Sequence, residues 1–132
     1  MPTAEHKPRI LIVDDTEDIT DMFGLLLEQA GYDVVTMFSA PAAFDVARAE
    51  RFDLVIADIG MPGVSGYDLA AQLRALPEYR DVPLIAVTGF AEYDDRPQAL
   101  TSGFNEFLRK PVAPNLLVET VARLLHRSLK SE

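Results

Sequence analysis

The chain has 132 residues, enough for one compact domain, and its 48% apolar and 25% charged residues are ordinary globular proportions that argue against intrinsic disorder. It has no cysteine for disulfides or thiolate chemistry, no apolar run near the roughly 18 residues that cross a bilayer, and no secretory h-region in its opening MPTAEHKPR. Those absences fit a reducing cytoplasm and no membrane partner, and with twelve Lys and Arg against 21 Asp and Glu the net charge of −9 repels phosphate backbones, so direct nucleic-acid binding is not expected.

Residues 1–8 are polar with two prolines and read as a flexible N-terminal tail, followed by one domain over 9–129. Arg9-Ile10-Leu11-Ile12-Val13 is a short apolar run of the buried parallel-strand kind, stopping at Asp14-Asp15. Residues 16–30 place Ile19, Met22, Phe23, Leu26, Leu27 and Ala30 at helical spacing, with Gly31 as the C′ residue. A second strand over 33–37 leads into a helix near 40–50, which Ser39 can cap and whose first turn tolerates Pro41.

The third strand, in DLVIADIGMPGVSG, runs through Leu54-Val55-Ile56-Ala57 and ends on the carboxylate of Asp58. Its helix opens with the capping-box pattern Ser65-Gly66-Tyr67-Asp68 and turns Leu69, Leu73 and Leu76 inward. Pro83–Val87 is the fourth strand, ending at Thr88-Gly89, and a helix near 95–102 follows with Pro97 in its first turn. The fifth strand spans 104–109 and ends at Lys110-Pro111, and a last helix over 114–129 carries Leu117, Val121, Leu124 and Leu125 on one side. Five strands alternating with five helices at this spacing form an α/β domain with a doubly wound parallel sheet and helices on both faces.

Ligands of open parallel sheets bind beyond the carboxyl ends of the strands. There the chain places Asp14 and Asp15 after strand one, Asp58 after strand three, Thr88 after strand four and Lys110 after strand five. In the flavodoxin-like order 2-1-3-4-5 these strands are neighbours, and the side chains meet at one edge. Three carboxylates in one cleft repel one another unless a hard divalent cation joins them. Lys110 adds a point charge and Thr88 a hydroxyl donor for a phosphoryl group, so the set suits phosphoryl transfer to an Asp carboxylate.

IVDD (12–15), ADIGMPG (57–63), VTG (87–89) and FLRKP (107–111), in order and each at a strand end, resemble the receiver domain of two-component response regulators, the CheY-like superfamily, over about residues 9–128. The strand order 2-1-3-4-5 is taken from that resemblance. It also implies that Asp58 is the phosphoacceptor and that Mg²⁺ (or Mn²⁺) is held by Asp15 directly, by Asp14 through water, by Asp58 and by the backbone carbonyl of Gly60. Lys110, before a cis proline bond, would pair with phosphoryl oxygens. Thr88 would swing to hydrogen-bond them, and Phe107 would stand at the aromatic switch position. The implied partners are a histidine kinase or histidine phosphotransfer protein and a downstream protein, met through the face of the fourth helix, fifth strand and fifth helix. The chain is expected to be a single-domain regulator, monomeric or weakly dimeric, that catalyses only its own phosphorylation and dephosphorylation and is otherwise not an enzyme.

Each residue alone has a plainer reading. Asp58 can form a turn, Asp14 or Asp15 can cap the first helix beside the alternative cap Thr16, and Thr88 can satisfy a turn. Lys110 alone is a solvated cation, Phe107 alone packs in the core, and His6 and His126 are solvated. Arg123, His126, Arg127 and Lys130 suit a helix C-terminus better than a binding patch. A receiver cut from a hybrid histidine kinase would read the same. A Mg²⁺-dependent aspartyl-phosphate phosphatase calls for D-x-D-x-T/V after the first strand, where this chain has Asp14-Asp15-Thr16-Glu17-Asp18. A flavin module would want a hydroxyl- and glycine-rich loop where this one is acidic. Gly60, without a side chain two residues after Asp58, leaves the dephosphorylation rate open.

Overall fold

The computed structural model describes residues 7–60, 65–89 and 101–130, with side chains in the last helix described as far as 126. Five strands, β1 (Arg9–Val13), β2 (Asp33–Met37), β3 (Leu54–Asp58), β4 (Leu84–Thr88) and β5 (Glu106–Arg109), pair in parallel in the order β2-β1-β3-β4-β5. Four helices of eight or more residues are described: α1 (Glu17–Gln29), α2 (Ala40–Ala49), α3 (Gly66–Arg74) and the C-terminal α4 (Pro114–Lys130). The helix expected near 95–102 lies almost wholly outside the described residues.

The unbroken apolar strands follow from burial on both faces. Side chains alternate across a strand, so Leu11, Val13, Val55, Ala57, Leu84 and Ala86 pack on one side with residues of α2 and α3. Ile10, Ile12, Leu54, Ile56, Ile85 and Val87 pack on the other with residues of α1 and α4. Fully burying a Val, Leu or Ile side chain contributes roughly 1.5–3 kcal/mol, and ten of the fifteen positions of β1, β3 and β4 are such residues, all buried. That two-sided burial fixes the strand ends, and with them the polar residues that follow.

Local signals hold at the caps. Ser39 accepts from the Ala42 amide, and the Ser65–Asp68 capping box is formed in both directions. Gly31, at φ +105°, ends α1, with its amide on Glu28 O and the Tyr32 amide on Leu27 O.

Several boundaries shift. Pro8 O already accepts from the Asp33 amide, so sheet hydrogen bonding starts inside the expected tail. The fourth strand begins at Leu84 and includes Thr88, and the fifth begins at Glu106, with Phe104 buried just ahead of it. A 3-10 turn at Pro77–Tyr79 was not anticipated. On α1 the buried line is Thr20, Phe23, Gly24 and Leu27, while Met22 and Ala30 are exposed. A helix near the sheet edge has cover on one flank only, so part of its apolar stripe faces water. Leu76 is half-buried rather than core, and Arg123 pairs with Glu106 at 2.9 Å.

Candidate functional site

The carboxyl ends of β1, β3, β4 and β5 bring the expected residues to one pole. Asp58 is the last residue of β3 and only 6% exposed. It is fixed from behind by the ladder: the Ile59 amide donates to Val87 O at 3.0 Å. In front, the Gly60 amide donates to Asp58 Oδ1 at 2.9 Å. Asp14 is 2% exposed, and its Oδ1 accepts from the Thr16 amide at 2.9 Å. Thr16 occupies the N-cap position, but its side chain makes no capping bond, so Asp14 closes the turn into α1 and faces the site as well. Asp15 is exposed.

Lys110 Nζ reaches both buried acids, at 2.9 Å from Asp14 Oδ2 and 3.4 Å from Asp58 Oδ2. Its own amide donates to Thr88 O at 2.7 Å, which ties the end of β5 to the end of β4, and the Lys110–Pro111 bond is cis. Thr88 is buried as the last residue of β4. Phe107 is also buried, in the cluster that holds Ala57, Ala86 and Phe104.

The electrostatics are those of an anion-rich cleft. Burial pushes the Asp58 carboxyl above its ordinary range, and the charge of Asp14 pushes the same way against the Gly60 amide and Lys110. Burial works to lower the Lys110 ammonium, but the hydrogen bond to Asp14 and the charges of Asp58 and Asp14 outweigh it, leaving the lysine above its usual value. Carboxylate oxygens of Asp14, Asp15 and Asp58 lie within 4.8 Å of one another, three acids against one ammonium among the described residues. This all-oxygen donor set fits a hard divalent cation such as Mg²⁺ or Mn²⁺.

One residue at this pole was visible only as a helix start. A Cβ on Gly66 would lie 2.7 Å from Asp58 O and 2.8 Å from Ile59 Cα, so α3 can begin against the end of β3 only with glycine there. The signal was present as a glycine directly after the N-cap serine, eight residues beyond an acidic strand end.

Residues 10–122 match the family model of the response regulator receiver domain. The polar-differentiation response regulator DivK of Brucella anthropi is 34% identical over 116 residues, which cover 88% of this chain and 94% of that protein. A CheY-like response regulator receiver domain protein from Methanospirillum hungatei superposes with a TM-score of 0.89 at 31% identity, covering 96% of this chain and all of that one. The receiver domain of a sensor histidine kinase from Pseudomonas aeruginosa, solved with a magnesium ion coordinated in its active-site cleft, gives a TM-score of 0.84 at 29% identity over 92% of this chain and 99% of that one.

Proposed function

Because the chain belongs to the response regulator receiver domain family, we propose that it is a phosphorylation switch whose phosphoacceptor is Asp58. The observation that carries this reading is the pairing of the buried Asp58 carboxylate with Lys110 inside a three-acid cluster at the strand ends. One Asp58 oxygen attacks the phosphorus of a phosphohistidine on a histidine kinase or phosphotransfer protein. The new O–P bond forms as the P–N bond breaks, and its electron pair returns to the histidine. Lys110 meets the charge on the transferring phosphoryl oxygens, and the Gly60 amide holds the other Asp58 oxygen in place. Asp14, Asp15, Asp58 and the Gly60 carbonyl would hold a Mg²⁺ or Mn²⁺ ion, which neutralises charge on the phosphoryl group when bound.

Thr88 then donates to a phosphoryl oxygen, and Phe107 fixes the switched packing of β5. The change is read by a downstream protein on the face that β5 and α4 share with the expected fourth helix. The likeness to regulators covered over nearly their whole length favours a single-domain protein, and we place it in the cytoplasm as a monomer or weak dimer. The likeness to a sensor kinase's receiver favours, as a second reading, a domain of a hybrid kinase, which sequencing the flanking gene would decide.

The test is intact mass after incubation with Mg²⁺ and a small acyl phosphate. The chain gains one phosphoryl group and Asp58→Asn gains none. Equal labelling of that variant would overturn the assignment.

A further inference from the structure

At the opposite edge of the sheet from β5, a groove of about 410 Å³ runs between α1 and β2, lined by Thr20, Asp21, Gly24, Leu25, Glu28, Val34 and Thr36. Three observations there converge. First, β2 pairs only with β1 among the described residues, so its outer side presents a row of backbone donors and acceptors. Edge strands are usually guarded by charged side chains, Pro or a bulge; β2 has one charge, Asp33 at its first position, which lies 3.6 Å from Arg9, and Val34–Met37 carry no charge or Pro and run in unbroken register with β1.

Second, Gly24 sits in the interior of α1, where glycine weakens a helix relative to alanine. Packing does not require it: a Cβ there would meet Val34 Cγ1 at 3.7 Å and Thr36 Cγ2 at 3.9 Å, ordinary contact distances. The missing methyl therefore deepens the floor of the groove at a cost to the helix. Third, the rim is chemically one-sided. Asp21 and Glu28 line it with no Lys, Arg or His among the described residues, and Leu25 stands beside them 58% exposed.

We infer that this groove is a docking site for an extended, basic segment of a partner protein, which adds as a strand to the outer edge of β2. Its apolar side chain lies on Leu25 over Gly24, and its Lys or Arg side chains reach Asp21 and Glu28. A second copy of this chain is the poorer occupant, because pairing two such edges would bring these carboxylates together on a chain of net charge −9. The groove shares no lining residue with the acidic pole and its docking does not depend on phosphoryl chemistry.

The experiment titrates the isotopically labelled full chain with a short synthetic peptide of alternating valine and lysine, and with its valine–glutamate counterpart, followed by amide NMR shifts. The lysine peptide shifts amides of 33–37 and 20–28, and the glutamate peptide does not bind. Gly24→Ala, which fills the floor and strengthens the helix, weakens binding about tenfold without lowering the melting temperature. Asp21→Asn with Glu28→Gln weakens it about as much and flattens its salt dependence, whereas Asp58→Asn binds like the parent. Shifts spread over the acidic surface, unchanged binding in Gly24→Ala, or equal binding of both peptides would each overturn the proposal. So would a concentration-dependent dimer that Gly24→Ala dissociates, which would assign the edge to a second copy.

Discussion

Asp58 is held where its charge is unwelcome. Burial and the neighbouring Asp14 raise its pKa, so in the metal-free protein the ionised form opposes folding. With the folded pKa above the unfolded one, the opposition is full at pH values above both. It fades as pH falls through the folded pKa and is gone below the unfolded pKa. Asp58→Asn should therefore stabilise the metal-free chain at pH 7 by on the order of 1 kcal/mol, roughly 3–5 °C in melting temperature, and lose that advantage near pH 3. Thermal scans at both pH values check it, and an advantage that grows on acidification would contradict the sign. Lys110 is the counterpart, since it alone spans Asp14 and Asp58 among the described ion pairs. Lys110→Ala leaves the two acids facing each other, which should cost about 1–2 kcal/mol without metal, because the lysine is partly solvated. Mg²⁺ affinity should not fall in this variant, since a competing cation has gone. What should vanish is the phosphorylation-dependent shift of β5 amides, and its persistence would remove Lys110 from the switch.

The elements show why such a site can be built from short segments. Each buried apolar run ends at the carboxyl end of the sheet, and the next residue is polar because cover from the helices ends there, whether it closes the strand, as Asp58 and Thr88 do, or follows it, as Asp14 does. That regularity made β1, β3 and β4 and the positions of Asp14, Asp58 and Thr88 legible in the sequence, since two-sided burial leaves an unbroken apolar run. The strand order was legible only through family resemblance, because parallel strands of similar composition carry no local mark of their neighbours. Contacts between distant segments were not legible at all. Arg74, at the end of α3, donates to Gly103 O at 3.0 and 2.7 Å, to Tyr79 O and Val82 O at 2.7 Å, and to Asn105 Oδ1 at 2.9 Å. Asn105 Oδ1 in turn accepts from the Leu84 amide at 2.8 Å. One half-buried guanidinium thus ties α3, the 3-10 turn and the entries to β4 and β5 at the pole away from Asp58. In the sequence it is just the arginine that ends a helix, because nothing local says which carbonyls will surround it. A planar fork serves these acceptors and a single ammonium cannot. Arg74→Met should cost about 3 kcal/mol by urea unfolding, and Arg74→Lys should restore less than half of that. Full rescue by lysine would mean that charge rather than the fork matters.

Over the whole molecule, negative charge is concentrated rather than merely abundant. The chain carries a net charge of −9, and among the described residues three of its carboxylates share one pole with the Lys110 ammonium. Such an arrangement should bind a divalent cation in the folded state and lose it on unfolding, because the acids come from β1 and β3 and meet only through the sheet. Linkage then requires stability to rise with metal concentration as RT ln(1 + [L]/Kd), about 2.7 kcal/mol at a hundredfold excess over Kd. Non-specific screening of the net charge also stabilises a highly charged chain, but it depends on ionic strength and not on the ion's identity. The two are separable by scanning melting temperature in MgCl₂ against NaCl at matched ionic strength. The parent should gain several degrees more in MgCl₂. Asp14→Asn and Asp15→Asn should lose most of that excess while keeping the NaCl response, since they remove a ligand and leave most of the charge. If both variants keep the Mg²⁺ excess, the ion is bound elsewhere on the acidic surface and the pole at Asp58 is not its site.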